Sequence, residues 1–224
     1  MSIAGVGFDL DHTLCVTEPD RASLLADAAE SVDAPGIAEW MSRPAYREAH
    51  RANLTSDTRT PVFETLLEET DFEVEPAALA AAYRRAVNDA LQPLPGLEAL
   101  IEELREDYRV GLLTNGPVRA QRSKLERLSL RAAFDAVLIS GDLPAGKPDP
   151  RAFAALIDAL GVTAETLVYV GNDVTADIGG ATNAGCRAIQ VLHEDGPDPN
   201  HLAAAHVRYE DLPEALPGLI AGLE

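Results

Sequence analysis

The sequence predicts an α/β protein, a doubly wound parallel sheet with an all-helical domain inserted after its first strand. Short apolar runs alternate with helical segments along most of the chain, which is typical of a parallel sheet covered by helices on both faces. A long helical stretch at residues 17–92 interrupts this alternation. It is too long for one crossover between neighbouring strands, and we interpret it as a separate domain.

The elements follow in order from the hydrophobic pattern. The apolar run at residues 3–8 predicts the first strand, and hydrophobic residues at helical spacing fill the inserted stretch, where no strand is predicted. Further strands are predicted at 109–113, 135–139, 167–170 and 187–192, and further helices at 97–106, 118–128, 149–160, 176–184 and 212–223. We expect Pro217 to interrupt the last helix. The predicted core is 1–16 with 93–224, and the predicted helical cap is 17–92.

The composition is that of a globular domain with an unusual charge. Of 224 residues 46% are hydrophobic, but 18 Lys and Arg stand against 37 Asp and Glu, for a net charge of −19. Such a surface repels nucleic acids and anionic membranes, so neither is expected as a partner. Without a signal peptide or a membrane-length apolar run, we expect a cytoplasmic protein. Cys15 and Cys186 are expected to be free thiols.

Two interpretations of the acidity remain open. The acidic residues could serve one cationic partner, or they could keep the surface hydrated in concentrated salt. They are scattered along the whole chain with no run longer than two, and Lys124 and Lys147 are the only lysines. This distribution resembles proteins of salt-loving organisms and favours the second interpretation.

Polar residues follow each of the first four predicted core strands, where ligands of open parallel sheets bind. Taken one at a time, they are also explained as turns, helix caps or solvated surface groups. Their occurrence at four consecutive strand ends favours convergence on one site instead. The candidates are Asp9, Asp11, Thr114, Asn115, Lys147, Asn172, Asp173 and Asp177.

This set of residue types is suited to phosphoryl transfer. Clustered carboxylates favour a hard divalent cation such as Mg²⁺. A carboxylate can attack phosphorus, while a metal, a lysine and hydroxyl groups neutralise the phosphoryl oxygens. A second acid beside the nucleophile can protonate the leaving oxygen and later deprotonate the attacking water.

Together these residues resemble the haloacid dehalogenase-like hydrolase superfamily, whose four signatures occur here in the same order. They read FDLDHTL (8–14), LLTNG (112–116), GKPDP (146–150) and VGNDVTADI (170–178), and the linker PLPGL (93–97) is similar to the family's return from cap to core. The resemblance covers nearly the whole chain and is weakest in the cap. It implies a Rossmann-like core, a helical cap of the C1 type and a Mg²⁺-dependent phosphatase for a small phosphomonoester, such as phosphoglycolate, a sugar phosphate or a nucleotide.

The resemblance also implies a role for each residue. Asp9 would be the nucleophile and Asp11 the general acid and base, with the Asp11 backbone carbonyl also contacting the metal. Thr114 and the backbone of Asn115 would bind the phosphoryl group. Lys147 would hold the phosphoryl oxygens and offset the carboxylate charge.

The fourth signature departs from the commonest spacing, so its metal ligand is open between Asn172 and Asp173. We prefer Asp173, because a carboxylate binds Mg²⁺ better than an amide does. Asn172 would then act through a water, and Asp177 would orient the loop or Lys147. The predicted metal set is Asp9, Asp11 and Asp173.

Alternatives to the phosphatase remain within and outside the superfamily. The acid at Asp11 favours phosphate-ester chemistry, because the family's dehalogenases lack it. A sugar-phosphate mutase and a non-catalytic phosphate-binding protein on the same scaffold are the alternatives.

The cap is expected to select the substrate. Arg43, Arg47, His50 and Arg51 fall near one face of a possible helix and could meet a carboxylate or second phosphate, although a solvated basic face is the plainer interpretation. The expected partner is a small phosphorylated metabolite, and the chain is expected to be a monomer or homodimer.

Overall fold

The computed structural model describes residues 2–37, 44–68 and 70–224. The strands are β1 Gly5–Phe8, β2 Cys15–Thr17, β3 Leu91–Pro93, β4 Arg109–Thr114, β5 Ala136–Ile139, β6 Leu167–Gly171, β7 Arg187–Leu192 and β8 Ala205–Arg208. The helices are α1 Arg21–Glu30, α2 Pro44–Ala52, α3 Thr60–Leu67, α4 Pro76–Asp89, α5 Leu97–Asp107, α6 Val118–Arg127, α7 Pro150–Leu160, α8 Gly180–Asn183 and α9 Leu212–Ala221.

A parallel sheet of six strands, in the order β5-β4-β1-β6-β7-β8, forms the centre of the fold. Strand β1 lies between β4 and β6, and Phe8 is level with Leu112 on one side and Val170 on the other. All three strands therefore end at the same edge of the sheet. The predicted fold class, an α/β protein with a doubly wound parallel sheet, is confirmed.

Hydrophobic clusters cover both faces of this sheet. The neighbouring residues Leu112 and Leu113 belong to different clusters, because successive side chains of a strand point to opposite faces. One cluster contains Leu100 of α5 and Leu216 of α9, and the other contains Phe153 of α7. Within the described residues, no helix has both the length and the apolar character needed to cross a membrane.

Helices α1 to α4 lie in the chain between β2 and β3 and have a hydrophobic cluster of their own. Leu25, Phe63, Leu79 and Tyr83 are among its fully buried side chains. Helix α4 is in contact with α1 and α3. The inserted stretch is thus helical over most of its described length, while its exact limits as a domain, residues 17–92, stay a prediction.

Strands β2, β3 and β8 and helix α9 differ from the sequence prediction. Strands β2 and β3 form a small antiparallel pair in which Thr17 is level with Leu91, although no strand was expected there. Strand β8 is an additional edge strand. Helix α9 continues through Pro217, which we expected to interrupt it, because Leu216 and Ile220 are fully buried and hold both halves against the core.

Candidate active site

Asp9 is the first residue after β1 and lies in the middle of the carboxyl edge of the sheet. Its backbone N–H donates to the Val170 carbonyl at 2.9 Å, which extends the pairing of β1 with β6 by one residue. The residue is only 8% exposed. Burial, partly offset by Lys147, raises the pKa of Asp9 to about 7.

The Lys147 ammonium hydrogen-bonds to three buried groups at this edge. Its ammonium lies 2.7 Å from each of Asp9 Oδ1, Asp177 Oδ1 and the Tyr169 hydroxyl, so all three of its donors are used. Burial alone would favour a neutral lysine, but the Asp177 and Asp9 carboxylates outweigh it and hold the pKa of Lys147 well above its usual range. Lys147 is therefore a fixed positive charge beside Asp9.

Asn115 fixes the loop that carries Lys147. Its side-chain amide donates to the Lys147 carbonyl at 2.8 Å, and its side-chain oxygen accepts from the Lys147 backbone N–H at 2.8 Å. The second and third signatures are thereby joined by two reciprocal hydrogen bonds. This side-chain role differs from the backbone role that the resemblance implies for Asn115, and the two are compatible.

Thr114 ends β4 and is almost fully buried beside the cleft. Its hydroxyl oxygen accepts a hydrogen bond of 2.7 Å from the Gln121 amide, whose nitrogen also lies 2.8 Å from the Asn115 carbonyl. Because the hydroxyl oxygen is engaged as an acceptor, its proton is free to be donated to a ligand.

Asp11 forms a second ionic cluster. Its carboxylate accepts from Lys124 at 2.5 and 2.7 Å, from Arg21 at 2.7 Å and from Gln121 at 3.1 Å. Burial disfavours ionisation of this carboxyl, but Lys124 and Arg21 outweigh it and hold the pKa of Asp11 well below its usual range. Arg21 belongs to the helical insertion and Lys124 to α6 of the core, so Asp11 connects the two parts of the chain.

The fourth signature begins a helix that differs from the predicted 176–184 helix. Residues 174–179 form a π-helical turn, and α8 follows directly. Asp173 caps the turn, since its carboxylate accepts from the backbone N–H groups of Thr175 and Ala176 at 2.8 and 2.7 Å. Asp177 accepts from Lys147 and, through Oδ2, from the Asp173 backbone N–H at 2.9 Å. Asp177 thus contacts both the loop and the lysine.

All eight sequence-predicted site residues line one cleft of about 790 Å³. The described residues contain no group of three or more His, Cys, Asp or Glu side chains arranged around a metal position. Mg²⁺ does not require one, because it keeps several waters and binds through one or two carboxylates plus substrate oxygens. The carboxylates of Asp9 and Asp173, with the Asp11 carbonyl, are a donor set that fits this ion.

The predicted cap residues are only partly described. Arg43 lies outside the described residues, as does the side chain of Arg47. His50 and Arg51, at the end of α2, line the same cleft as Asp9. The His50 ring stacks on Tyr46 with the ring centroids 6.1 Å apart.

The family follows from a comparison with known proteins. The model of the haloacid dehalogenase-like hydrolases matches residues 3–185. The chain belongs to this family of hydrolases.

Relatives within the haloacid dehalogenase-like family include named phosphatases. N-acylneuraminate-9-phosphatase of Rattus norvegicus is 33% identical, over 88% of this chain and 85% of the relative. Phosphoglycolate phosphatase of Cereibacter sphaeroides is 32% identical, over 97% and 99%. The HAD-hydrolase YfnB from Bacillus subtilis, solved bound to magnesium, has the same fold, with a TM-score of 0.74 and 23% identity over 98% and 99% of the two chains.

The family signatures led to eight site residues but not to Arg21, Gln121 and Lys124. These three lie outside the signatures, and Gln121 and Lys124 are 110 and 113 residues from Asp11 in the chain. A signal was available for Lys124 but not for Arg21 or Gln121. Only two lysines occur in the sequence, and the structure brings both to first-signature aspartates.

Proposed function

We propose that the chain is a Mg²⁺-dependent phosphatase that hydrolyses a small phosphomonoester through an aspartyl-phosphate on Asp9. The observation that carries the proposal is the meeting of the buried Asp9 carboxylate, the Lys147 ammonium and the Thr114 hydroxyl in one cleft, with Asp11 two residues along the loop. The relatives named phosphoglycolate phosphatase and N-acylneuraminate-9-phosphatase support the same chemistry.

In the first step, an Asp9 oxygen forms a bond to phosphorus while the bond from phosphorus to the substrate alcohol breaks. Lys147 and the Thr114 hydroxyl offset the charge on the phosphoryl oxygens, and Asp11 in its acid form donates a proton to the leaving oxygen. In the second step, water attacks phosphorus, the bond to Asp9 breaks and Asp11 accepts the proton from water. The ion pairs of Asp11 with Lys124 and Arg21 favour the carboxylate that the second step needs and oppose the acid form that the first step needs.

The proposed metal site uses residues of the same cleft. Asp9, Asp173 and the Asp11 carbonyl would hold Mg²⁺, with Asn172 acting through a water, and the ion would neutralise phosphoryl oxygens during both steps. Asp177 would act on Lys147 and on the backbone of Asp173 and not on the metal, since both of its oxygens are already bonded.

The test is phosphate release from a panel of phosphomonoesters by the wild type and by Asp9→Asn. We expect Asp9→Asn to lower kcat at least about 10³-fold, because an amide is not a nucleophile toward phosphorus. Asp158→Asn, an exposed aspartate of α7, is the matched control and should keep wild-type activity.

Three results would contradict parts of the proposal. Wild-type activity in Asp9→Asn, without deamidation back to Asp, would exclude the aspartyl-phosphate. Unchanged activity after chelation and dialysis would exclude the metal. Isomerisation of a sugar phosphate without phosphate release would indicate a mutase.

A further inference from the structure

A second pocket opens from the cleft on the side of the helical insertion. Its volume is about 200 Å³, and Asp11, His12, His50 and Asn115 line both it and the main cleft. We call it the cap-side pocket. In the proposed reaction Asp11 protonates the leaving oxygen, so the part of the substrate that leaves as an alcohol must lie next to Asp11. Asp11 lines both spaces, so a leaving group next to Asp11 can extend into the cap-side pocket.

The charge of the cap-side pocket is opposite to that of the whole protein. Arg21, Arg59 and Lys124 line it, and Asp11 is the one carboxylate among its described lining residues. The pocket therefore has an excess of two positive charges, in a chain whose net charge is −19. Arg21 and Lys124 share the same carboxylate, which cannot neutralise both and also Arg59.

Several polar atoms around this pocket are buried without a partner. Arg59 Nε, His50 Nδ1 and Gln121 Oε1 have no hydrogen-bond partner among the described residues. Leaving such atoms unpaired is costly, and native proteins rarely do so without a ligand or water to satisfy them. Arg59 Nε is a donor and the His50 ring nitrogen can be one, so these two atoms suit an acceptor group in the pocket, whereas Gln121 Oε1 is itself an acceptor and suits a donor.

The position of Arg59 indicates which kind of polar group this is. Its guanidinium carbon lies 5.0 Å from the centre of the Tyr83 ring, so the ring supports the guanidinium group while the unpaired Nε remains as a donor. A guanidinium group presents parallel N–H donors that match the two oxygens of a carboxylate. A phosphate presents a similar pair of oxygens to a guanidinium group, so a second phosphate is the competing ligand for this position.

We propose that the cap-side pocket binds a carboxylate on the leaving group of the substrate, held by Arg59 and assisted by Arg21 and Lys124. The substrates are then phosphomonoesters of hydroxycarboxylic acids. This inference rests on the phosphatase activity proposed above and names its substrate class. Arg59 would be a specificity-determining residue that contacts the substrate away from the reacting phosphorus.

Matched substrate pairs test the inference directly. Phosphoglycolate is paired with ethyl phosphate and 3-phosphoglycerate with glycerol 3-phosphate, so that each pair differs at the carboxylate, and kcat/KM is measured for both members. We expect the wild type to prefer the carboxylate at least about tenfold, the effect of one charged hydrogen bond. Arg59→Gln should lower this ratio about tenfold or more, and Arg59→Lys should lower it less because the charge remains.

The controls separate selectivity from stability. Arg85→Gln, an exposed arginine of α4, should leave the ratio unchanged. Thermal melts of the Arg59 variants report whether Arg59 serves only to pack on Tyr83. A lowered melting temperature with an unchanged substrate ratio would overturn the inference, as would a stronger preference for a matched bisphosphate than for the carboxylate.

A failure of the inference is distinguishable from a failure of the proposed function. Equal kcat/KM values within each pair would overturn the carboxylate pocket and leave the phosphatase intact. If no member of the panel releases phosphate, the phosphatase fails, and calorimetric titration of Asp9→Asn with the same pairs still examines the pocket. Tighter binding of the carboxylated member by about tenfold supports it, and equal binding overturns it.

Discussion

Lys147 and Lys124, the two lysines of the chain, each hold an aspartate of the first signature, yet their surroundings are opposite in charge. The Lys147 cluster contains two carboxyl groups, Asp9 and Asp177, and has one negative charge in excess when both are ionised. The Lys124 cluster contains Arg21 and Arg59 but only the Asp11 carboxylate, and has two positive charges in excess.

The difference indicates what each cluster lacks. A cluster with an excess carboxylate is suited to a cation, and one with excess ammonium and guanidinium groups is suited to an anion. The phosphoryl group would lie between them, so that Mg²⁺ enters on the Lys147 side and the leaving group on the Lys124 side. The Lys124 cluster thus provides local positive charge in a protein whose overall charge repels its proposed substrate.

Replacing each lysine by methionine is the strongest test of this comparison. In Lys147→Met, the Asp177 carboxylate would stay buried without its cation, and we expect the unfolding free energy to fall by about 3–5 kcal/mol. The phosphatase activity should be lost as well. Lys124→Met should cost only about 1–2 kcal/mol, because Asp11 keeps Arg21 and its side chain is 26% exposed. Urea denaturation measures both. Equal costs would show that the two clusters are energetically alike.

A substitution at Gly171 tests whether activity and stability depend on the position of the Asp177 carboxylate in the Lys147 cluster. A methyl group at this last residue of β6 would lie 2.5 Å from the carboxyl carbon of Asp177 and would displace it from Lys147. We expect Gly171→Ala to lower kcat about tenfold or more and stability by about 1–3 kcal/mol. Gly218→Ala in α9 is the control, since an added methyl meets no atom within 4 Å there. If Gly171→Ala behaves like the control, the position of Asp177 does not matter.

Most of the fold was predictable because its signal is local. Strands such as β4 and β6 are continuous apolar runs, and their buried side chains match that pattern. Strand β8 was missed because its sequence, AHVR, offers Val207 as its one strongly buried residue. Helix α9 passes Pro217 because tertiary burial outweighs the local cost of proline, and such burial is not visible in the sequence.

The site was predictable where it follows the strand ends and not where it depends on long-range pairing. Asp9, Thr114 and Lys147 come directly after strands or in the signatures, so sequence order places them at one edge. The partners of Asp11 come from α1 and α6, and nothing in the local sequence joins them to residue 11. The orientation of the insertion relative to the core decides these contacts.

The pKa of His50 reports on the positive charge in the Lys124 cluster, and the pH dependence of the unfolding free energy tests it. Burial, together with Arg59 and Lys124, lowers the pKa of His50 from 6.5 to about 3. Between these values the unfolded chain binds a proton that the folded chain does not, so this contribution to stability is complete above pH 6.5 and is lost as the pH falls toward 3. The loss is at most about 1.4 kcal/mol per pH unit, and His50→Gln should reduce the slope. His201→Gln, at an exposed position, controls for the substitution.

The pKa of His50 should respond differently to replacement of the two lysines. Removing the positive charge in Lys124→Met should raise the pKa of His50, measured by NMR of the ring nitrogens. Lys124 is among the groups with the largest effects on this pKa and Lys147 is not, so Lys147→Met should change it less than Lys124→Met does if the protein stays folded. A wild-type pKa near 6.5, or an equal response to both substitutions, would show that the positive charge is not concentrated around Lys124. In that case the cap-side pocket would have no electrostatic reason to select a carboxylate.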